Sequence, residues 1–148
     1  MLLGTNDVLL GKKPVNEIVA AYDTLLGQMR EKNPKMHIIF SNLLPLDPAR
    51  WPQAAVDGIK SLNSAIAIYA PSKNTARSPV YFIDNFAGFD AVKDTTDGEH
   101  PNDAGSEKMA KKFFESTKTA IQAVSRRRRA VKSKRMTGAA RRAVVVPN

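Results

Sequence analysis

From Val15 to Met29 the apolar residues Val15, Ile18, Val19, Tyr22, Leu25, Leu26 and Met29 recur at spacings of three and four. That period places them on one face of a helix, which Asn33-Pro34 ends near Lys32. Gln53 to Tyr69 repeats the pattern with Ala55, Val56, Ile59, Leu62, Ala65, Ile66 and Tyr69, and Pro71 is expected to close this second helix. Between and after them lie short apolar runs. Met36-His37-Ile38-Ile39-Phe40 and Val80-Tyr81-Phe82-Ile83-Asp84 have the length and the β-branched and aromatic content of buried strands. Met1-Leu2-Leu3-Gly4 reads as the last residues of a further buried strand. Phe86 to Glu99 is a polar, Gly-containing loop, and Asn102-Asp103 offers caps for a third helix through Met109, Phe113, Phe114, Thr117 and Ile121 to about Val124. The order is strand, helix, strand, helix, strand, loop, helix. Such alternation predicts an α/β fold, a parallel sheet with helices on its faces, whose ligands bind beyond the carboxyl ends of the strands.

Composition changes this picture at one end only. The 148 residues are 43% hydrophobic, enough for one domain with a core. The net charge of +9 first suggests a nucleic-acid binder, but all 14 acidic residues and 14 of the 23 Lys and Arg lie in residues 1–124. The body is neutral, and the excess belongs to residues 125–148, where Arg126-Arg127-Arg128-Arg129, Lys132, Lys134-Arg135 and Arg141-Arg142 stand among Ala, Ser, Gly and Val. Without a coherent apolar face, and with like charges repelling, this tail is expected to be disordered in isolation. The competing reading is a nucleic-acid or anionic-surface patch held by counterion release, although no aromatic residue is interleaved for base stacking. There is no cysteine, and two histidines are too few for a histidine-based zinc site, so no metal is expected. No basic leader precedes an apolar run, and no run approaches the roughly 20 apolar residues of a membrane span.

Two segments carry catalytic types of side chain at the carboxyl ends of predicted strands: Gly4-Thr5-Asn6-Asp7 and Asp97-Gly98-Glu99-His100-Pro101-Asn102. An Asp three residues before a His on a Gly-containing turn can fold back so that its carboxylate accepts the imidazole Nδ1–H, which frees Nε2 as a general base. An Asn at the end of a parallel strand can aim its amide donors at an oxyanion forming in the same crevice. Asp97 and His100 are therefore the catalytic candidates, and Asn6 the oxyanion-hole candidate.

With these residues in view, the chain resembles the GDSL-type (SGNH) ester hydrolases over residues 1 to about 124. Gly4-Thr5-Asn6-Asp7 is similar to the family's GxND block, and Asp97 with His100 to its DxxH block. The run Asp97-Gly98-Glu99-His100-Pro101-Asn102-Asp103-Ala104-Gly105 is similar to the carbohydrate, or acetyl xylan, esterase branch. The resemblance implies a flavodoxin-like three-layer fold with strand order 2-1-3-4-5. It implies a Ser nucleophile completing the triad, a small acyl ester or acetylated carbohydrate as substrate, and no cofactor. In the family, the Ser block and a Gly oxyanion block both precede GxND, so the chain is expected to be the C-terminal portion of the domain. It would keep strands 3, 4 and 5 and be inactive alone, the missing half being either lost by truncation or supplied by a partner. The alternatives are a non-catalytic protein whose tail binds nucleic acid or an anionic surface, and a binder that keeps the crevice without the chemistry.

The remaining polar and aromatic residues invite plainer readings. His37 opens an apolar strand without an acidic neighbour in sequence, which suits packing. Ser41 ends a strand but lacks the flanking glycines of a nucleophile elbow, so a cap or loop role is expected. Asp7 is expected to support loop geometry. Trp51 and Phe86 either line an acyl or sugar pocket or cover the core.

Overall fold

The computed structural model describes the backbone of residues 1–143 and the side chains of residues 1–133. Six elements follow in order: α1 (Thr5–Leu9), α2 (Val15–Lys32), β1 (Ile38–Ser41), α3 (Gln53–Ser72), β2 (Val80–Ile83) and α4 (Asp103–Ala143). Met1–Ser116 form one compact unit, and a second unit begins at Thr117 on the continuing α4.

The apolar periods form the elements they predict. Strands β1 and β2 pair in parallel, with Ile38 opposite Val80 and Ser41 opposite Ile83. Ile38 and Phe40 are buried, with Val80 and Phe82 packed against the same cluster. Alternate strand residues share a face, so this is the side of the sheet that meets the helices. Ile18 and Tyr22 of α2, and Val56, Ile59, Leu62 and Ile66 of α3, complete the core. Tyr22 and Phe40 meet edge to face, their ring centroids 5.1 Å apart. Arg30 ties α2 to the start of the sheet through Ser78: its Nε donates to Ser78 Oγ at 3.0 Å, and Ser78 Oγ donates to Met36 O at 2.7 Å.

The first residues depart from the strand expected of them. Met1–Gly4 form no strand element, yet Met1 adds one rung to the other edge of β1: its N–H donates to Ile39 O, and its carbonyl accepts from Ser41 N at 2.8 Å. That donor and acceptor pattern is a parallel one. The ladder stops because Gly4 takes φ of 115° and turns the chain into α1. A Cβ there would stand 2.7 Å from Tyr22 Oη, the hydroxyl that donates to Leu3 O.

Two helix ends also differ from expectation. Pro71 lies inside α3, which ends at Ser72; in a last turn, Pro loses one hydrogen bond at the frayed end instead of breaking an interior. Helix α4 passes Val124 and runs to Ala143, because Arg, Ala and Lys are strong helix formers and no Pro intervenes. Val144, Val145 and Val146 lie outside the described residues. No described helix is long and apolar enough to cross a membrane.

Candidate active site

The 19 residues between β2 and α4 have little regular structure, and side chains substitute for the missing ladder. Asp84 Oδ1 accepts from the amides of Phe86 and Ala87, each at 3.0 Å, and from Asn42 Nδ2 at 2.7 Å. Burial alone would raise the Asp84 pKa, but these hydrogen bonds and the charge of Lys112 outweigh it and hold the carboxyl below its ordinary value. Further on, Thr95 is buried; its Oγ1 donates to Ala91 O at 2.5 Å and accepts Gly98 N–H at 2.8 Å. Asn102 Nδ2 donates to Lys93 O at 2.8 Å, while Asn102 Oδ1 accepts Gly105 N–H at 3.0 Å and so caps α4. Asp47, from the loop after β1, donates its N–H to Gly98 O at 2.9 Å. Gly98 has φ of 90°, and a Cβ on it would lie 2.9 Å from both Arg50 Cδ and Asp47 Cβ. The turn from Asp97 to His100 is thus fastened on three sides.

On this turn Asp97 folds back on His100. Its Oδ1 accepts the amides of Glu99 at 3.0 Å and His100 at 2.8 Å, and its Oδ2 lies 2.7 Å from His100 Nδ1. A carboxylate only accepts, so Nδ1 carries the proton and the neutral imidazole presents Nε2 as its free base. The His100 amide and imidazole, with the Glu99 amide, bring the Asp97 carboxyl down to about 2. The hydrogen bond that His100 donates to Asp97 and the charge of that carboxylate, with that of Glu99, raise His100 above 6.5.

The signs fix the pH behaviour. The His100 contribution to stability is complete below 6.5 and fades as pH rises through the raised value. That of Asp97 is present above the ordinary carboxylate range and is lost as pH falls toward about 2. Both side chains are open to solvent, so the effect on overall stability is small and the titration itself is the sensitive measure. In an NMR titration His100 is expected to have its midpoint above 6.5, and Asp97→Asn to move that midpoint back toward 6.5. An unchanged midpoint in the variant would show that the carboxylate does not act on the ring.

Beside His100 lies a cavity of about 190 Å³. Leu2, Leu44, Leu46 and Met109 make its apolar wall, with Thr5, Glu99 and His100 at its polar edge. Asn6 sits on α1 and not at a strand end. It is exposed, its carbonyl accepts the amides of Leu10 and Gly11, and Thr5, one residue earlier, is the one that lines the cavity. Asp7 is exposed and gives its carbonyl to Lys13 N at 2.9 Å. Ser41 is fully buried; its Oγ donates to Asn42 O at 2.7 Å and accepts from Asn85 Nδ2 at 2.9 Å, which makes it a structural group. His37 stacks on Tyr81 and meets its hydroxyl at 3.0 Å. Trp51 and Phe86 pack against the core cluster. Among the described residues, no three His, Cys, Asp or Glu side chains gather to hold a metal ion.

Thr95 and Asp47 are the supporting residues that motif reading overlooks, whereas Asn102 caps α4 as its place in the sequence leads one to expect. The one available signal was Leu43-Leu44-Pro45-Leu46, an apolar run in a loop, where a solvated connection would be polar.

The sequence profile of the GDSL-like lipase/acylhydrolase family matches residues 1–108. A multidomain esterase of Ruminococcus flavefaciens is 31% identical over 122 residues, which are 82% of this chain and 15% of that protein. The crystal structure of a carbohydrate esterase family 3 protein from Talaromyces cellulolyticus superposes with a TM-score of 0.73 at 31% identity, over 82% of this chain and 57% of that one. An acetyl esterase with one serine changed to alanine, solved with acetate ion, matches with the same TM-score, identity and coverage. The chain therefore spans little more than half of these solved relatives and a small part of the curated one.

Proposed function

Because the chain belongs to the GDSL-like lipase/acylhydrolase family, we propose that it supplies the base and its orienting carboxylate to a serine ester hydrolase site. The observation that carries this reading is the 2.7 Å hydrogen bond between Asp97 and His100 Nδ1. In the proposed reaction, His100 Nε2 takes the proton of a serine hydroxyl as its oxygen bonds to the ester carbonyl carbon. Asp97 stabilises the imidazolium, and Asn6, which by family resemblance donates to the tetrahedral oxyanion, must turn its amide toward the cavity that Thr5 lines. Collapse expels the alcohol, which takes the proton back from His100. Water, deprotonated by the same Nε2, then releases the carboxylic acid.

The serine is the part these 148 residues do not provide. No Gly-Asp-Ser stretch occurs in them, and the family's serine block lies ahead of GxND. In this reading the nucleophile comes from a further segment, of the same polypeptide or another. The relatives suggest acetylated carbohydrate or another small ester as substrate. The test mixes this chain with a peptide domain carrying the serine and glycine blocks and follows hydrolysis of an aryl acetate. Turnover that needs both Asp97 and His100 supports the reading; its absence in a mixture shown to associate would sink it.

A second reading concerns α4. Arg126, Arg127, Arg128, Arg129 and Lys132 are all exposed on it, with charge on every side of the helix. Such a surface suits an anionic polymer or membrane surface. Binding to an oligonucleotide that falls steeply with added salt, and is lost when residues 125–148 are deleted, is the expected result; salt-independent binding would exclude it.

A further inference from the structure

A second cavity, of about 270 Å³, lies on the far side of Met109, which lines both. It is smaller than the usual drug-sized site, and its walls are largely apolar: Phe89, Met109 and the stems of three lysines. Those lysines are not equivalent. Lys108 Nζ is 2.6 Å from Asp94 Oδ2, and Lys111 Nζ is 2.8 Å from Glu107 Oε1. Lys112 instead donates to two backbone carbonyls, of Asp84 at 2.6 Å and of Ala87, and its charge reaches the Asp84 carboxyl without closing a salt bridge. Its Nζ carries a third N–H beyond the two given to these carbonyls. Asn85, at the inner wall, is buried with an Oδ1 that accepts no hydrogen bond, an acceptor that repels a carboxylate. An anion is therefore favoured at the Lys112 rim and not at the base.

The cavity on the His100 side has the opposite electrostatics. Glu99 lines it, and Asp97 stands on His100. Ester hydrolysis converts a neutral group into a carboxylate, which these two acidic groups repel and Lys112 attracts. We propose that the cavity behind Met109 binds short-chain monocarboxylates, the carboxylate on Lys112 and the acyl chain between Phe89 and Met109. In this role it receives the acid released beside His100, a role that rests on the hydrolase reading above. The binding itself does not.

The test is an NMR titration of the chain with sodium acetate and sodium butyrate at constant ionic strength, sodium chloride serving as the reference salt. Saturable shifts are expected at the Met109 methyl and at the Gly88 and Phe89 amides. Butyrate should bind about fifteenfold more tightly than acetate, at about fourfold for each methylene removed from water. Butyramide, the neutral counterpart, should bind about tenfold more weakly than butyrate, and this comparison needs no variant that risks the fold. Lys112→Gln should erase the difference between butyrate and butyramide, and Lys112→Arg should keep it. Shifts centred on Thr5 and His100, equal binding of amide and acid, or shifts that chloride reproduces would each overturn the proposal. Turnover is not measured, so a failed reconstitution with saturable butyrate binding would strike the hydrolase reading alone.

Discussion

Purified on its own, the chain is expected to hydrolyse an aryl acetate no faster than its His100→Ala variant. Nucleophile and base act as one unit, and the loss of either costs on the order of a millionfold in kcat. Asp97 and His100 are hydrogen-bonded to each other, but in the reading proposed above the serine they would act on comes from another segment. Ser41 does not fill the gap, since it is fully buried and its Oγ is engaged both as donor and as acceptor. The measurement is the rate with and without His100, at a protein concentration high enough to expose a slow background. Robust turnover by the isolated chain, abolished in His100→Ala, would mean that a serine within these 148 residues reaches the ring. A rate that rises only on adding the serine-bearing segment, and falls again with Asp97→Asn, is the outcome expected of a divided site.

The largest effect on stability is expected from Gly105→Ala. Gly105 is the third residue of α4, in its first turn, where Ala would ordinarily strengthen a helix. Here the added Cβ would lie 2.1 Å from the Asp94 carbonyl oxygen and 3.0 Å from Phe89 Cζ. A backbone carbonyl has no rotamer to escape into, so helix and loop must part. The expected cost is about 3 kcal/mol, the upper end of overpacking penalties. Gly27→Ala on α2 is the control, since a Cβ there meets nothing within 4 Å, and it should gain about 0.5 to 1 kcal/mol. Urea unfolding of both variants measures the contrast. Because Asp94 O also accepts Asn102 N–H, Gly105→Ala should disturb the His100 titration as well, which Gly27→Ala should leave alone.

What the sequence discloses follows from how local each feature is. The two long helices and both strands announce themselves through apolar spacing, because each buries a face against one core and the period is the direct imprint of that burial. The bond between Asp97 and His100 is equally legible, since three residues and one glycine hold all its geometry. Placing Asn6 at a strand end fails for a different reason. A positive φ at Gly4 turns the chain before the strand can continue, and that turn is imposed by Tyr22, which is distant in sequence. The other supports of the Asp97–His100 turn are illegible on the same ground. Thr95 and Asp47 act through hydrogen bonds to backbone atoms several or many residues away, and such bonds leave no period in the chain. The end of α4 is misplaced because periodicity reports burial, and a helix of Arg, Ala and Lys needs none to be written as helical.

Asn63 has a consequence for how this cavity can change over generations. From the middle of α3 its amide takes both backbone groups of Leu43, accepting the N–H at 2.7 Å and donating to the carbonyl at 2.9 Å. The route of the chain through Leu44 and Leu46 is thereby set by a helix that never touches the ligand space. Leu44, which is half-buried, can be exchanged for other apolar residues while the main chain keeps its course, and Leu46, a member of the buried core, for residues of similar volume. Descendants of this sequence can thus alter the shape of the cavity beside His100 by changing side chains alone, without first rebuilding the loop that displays them.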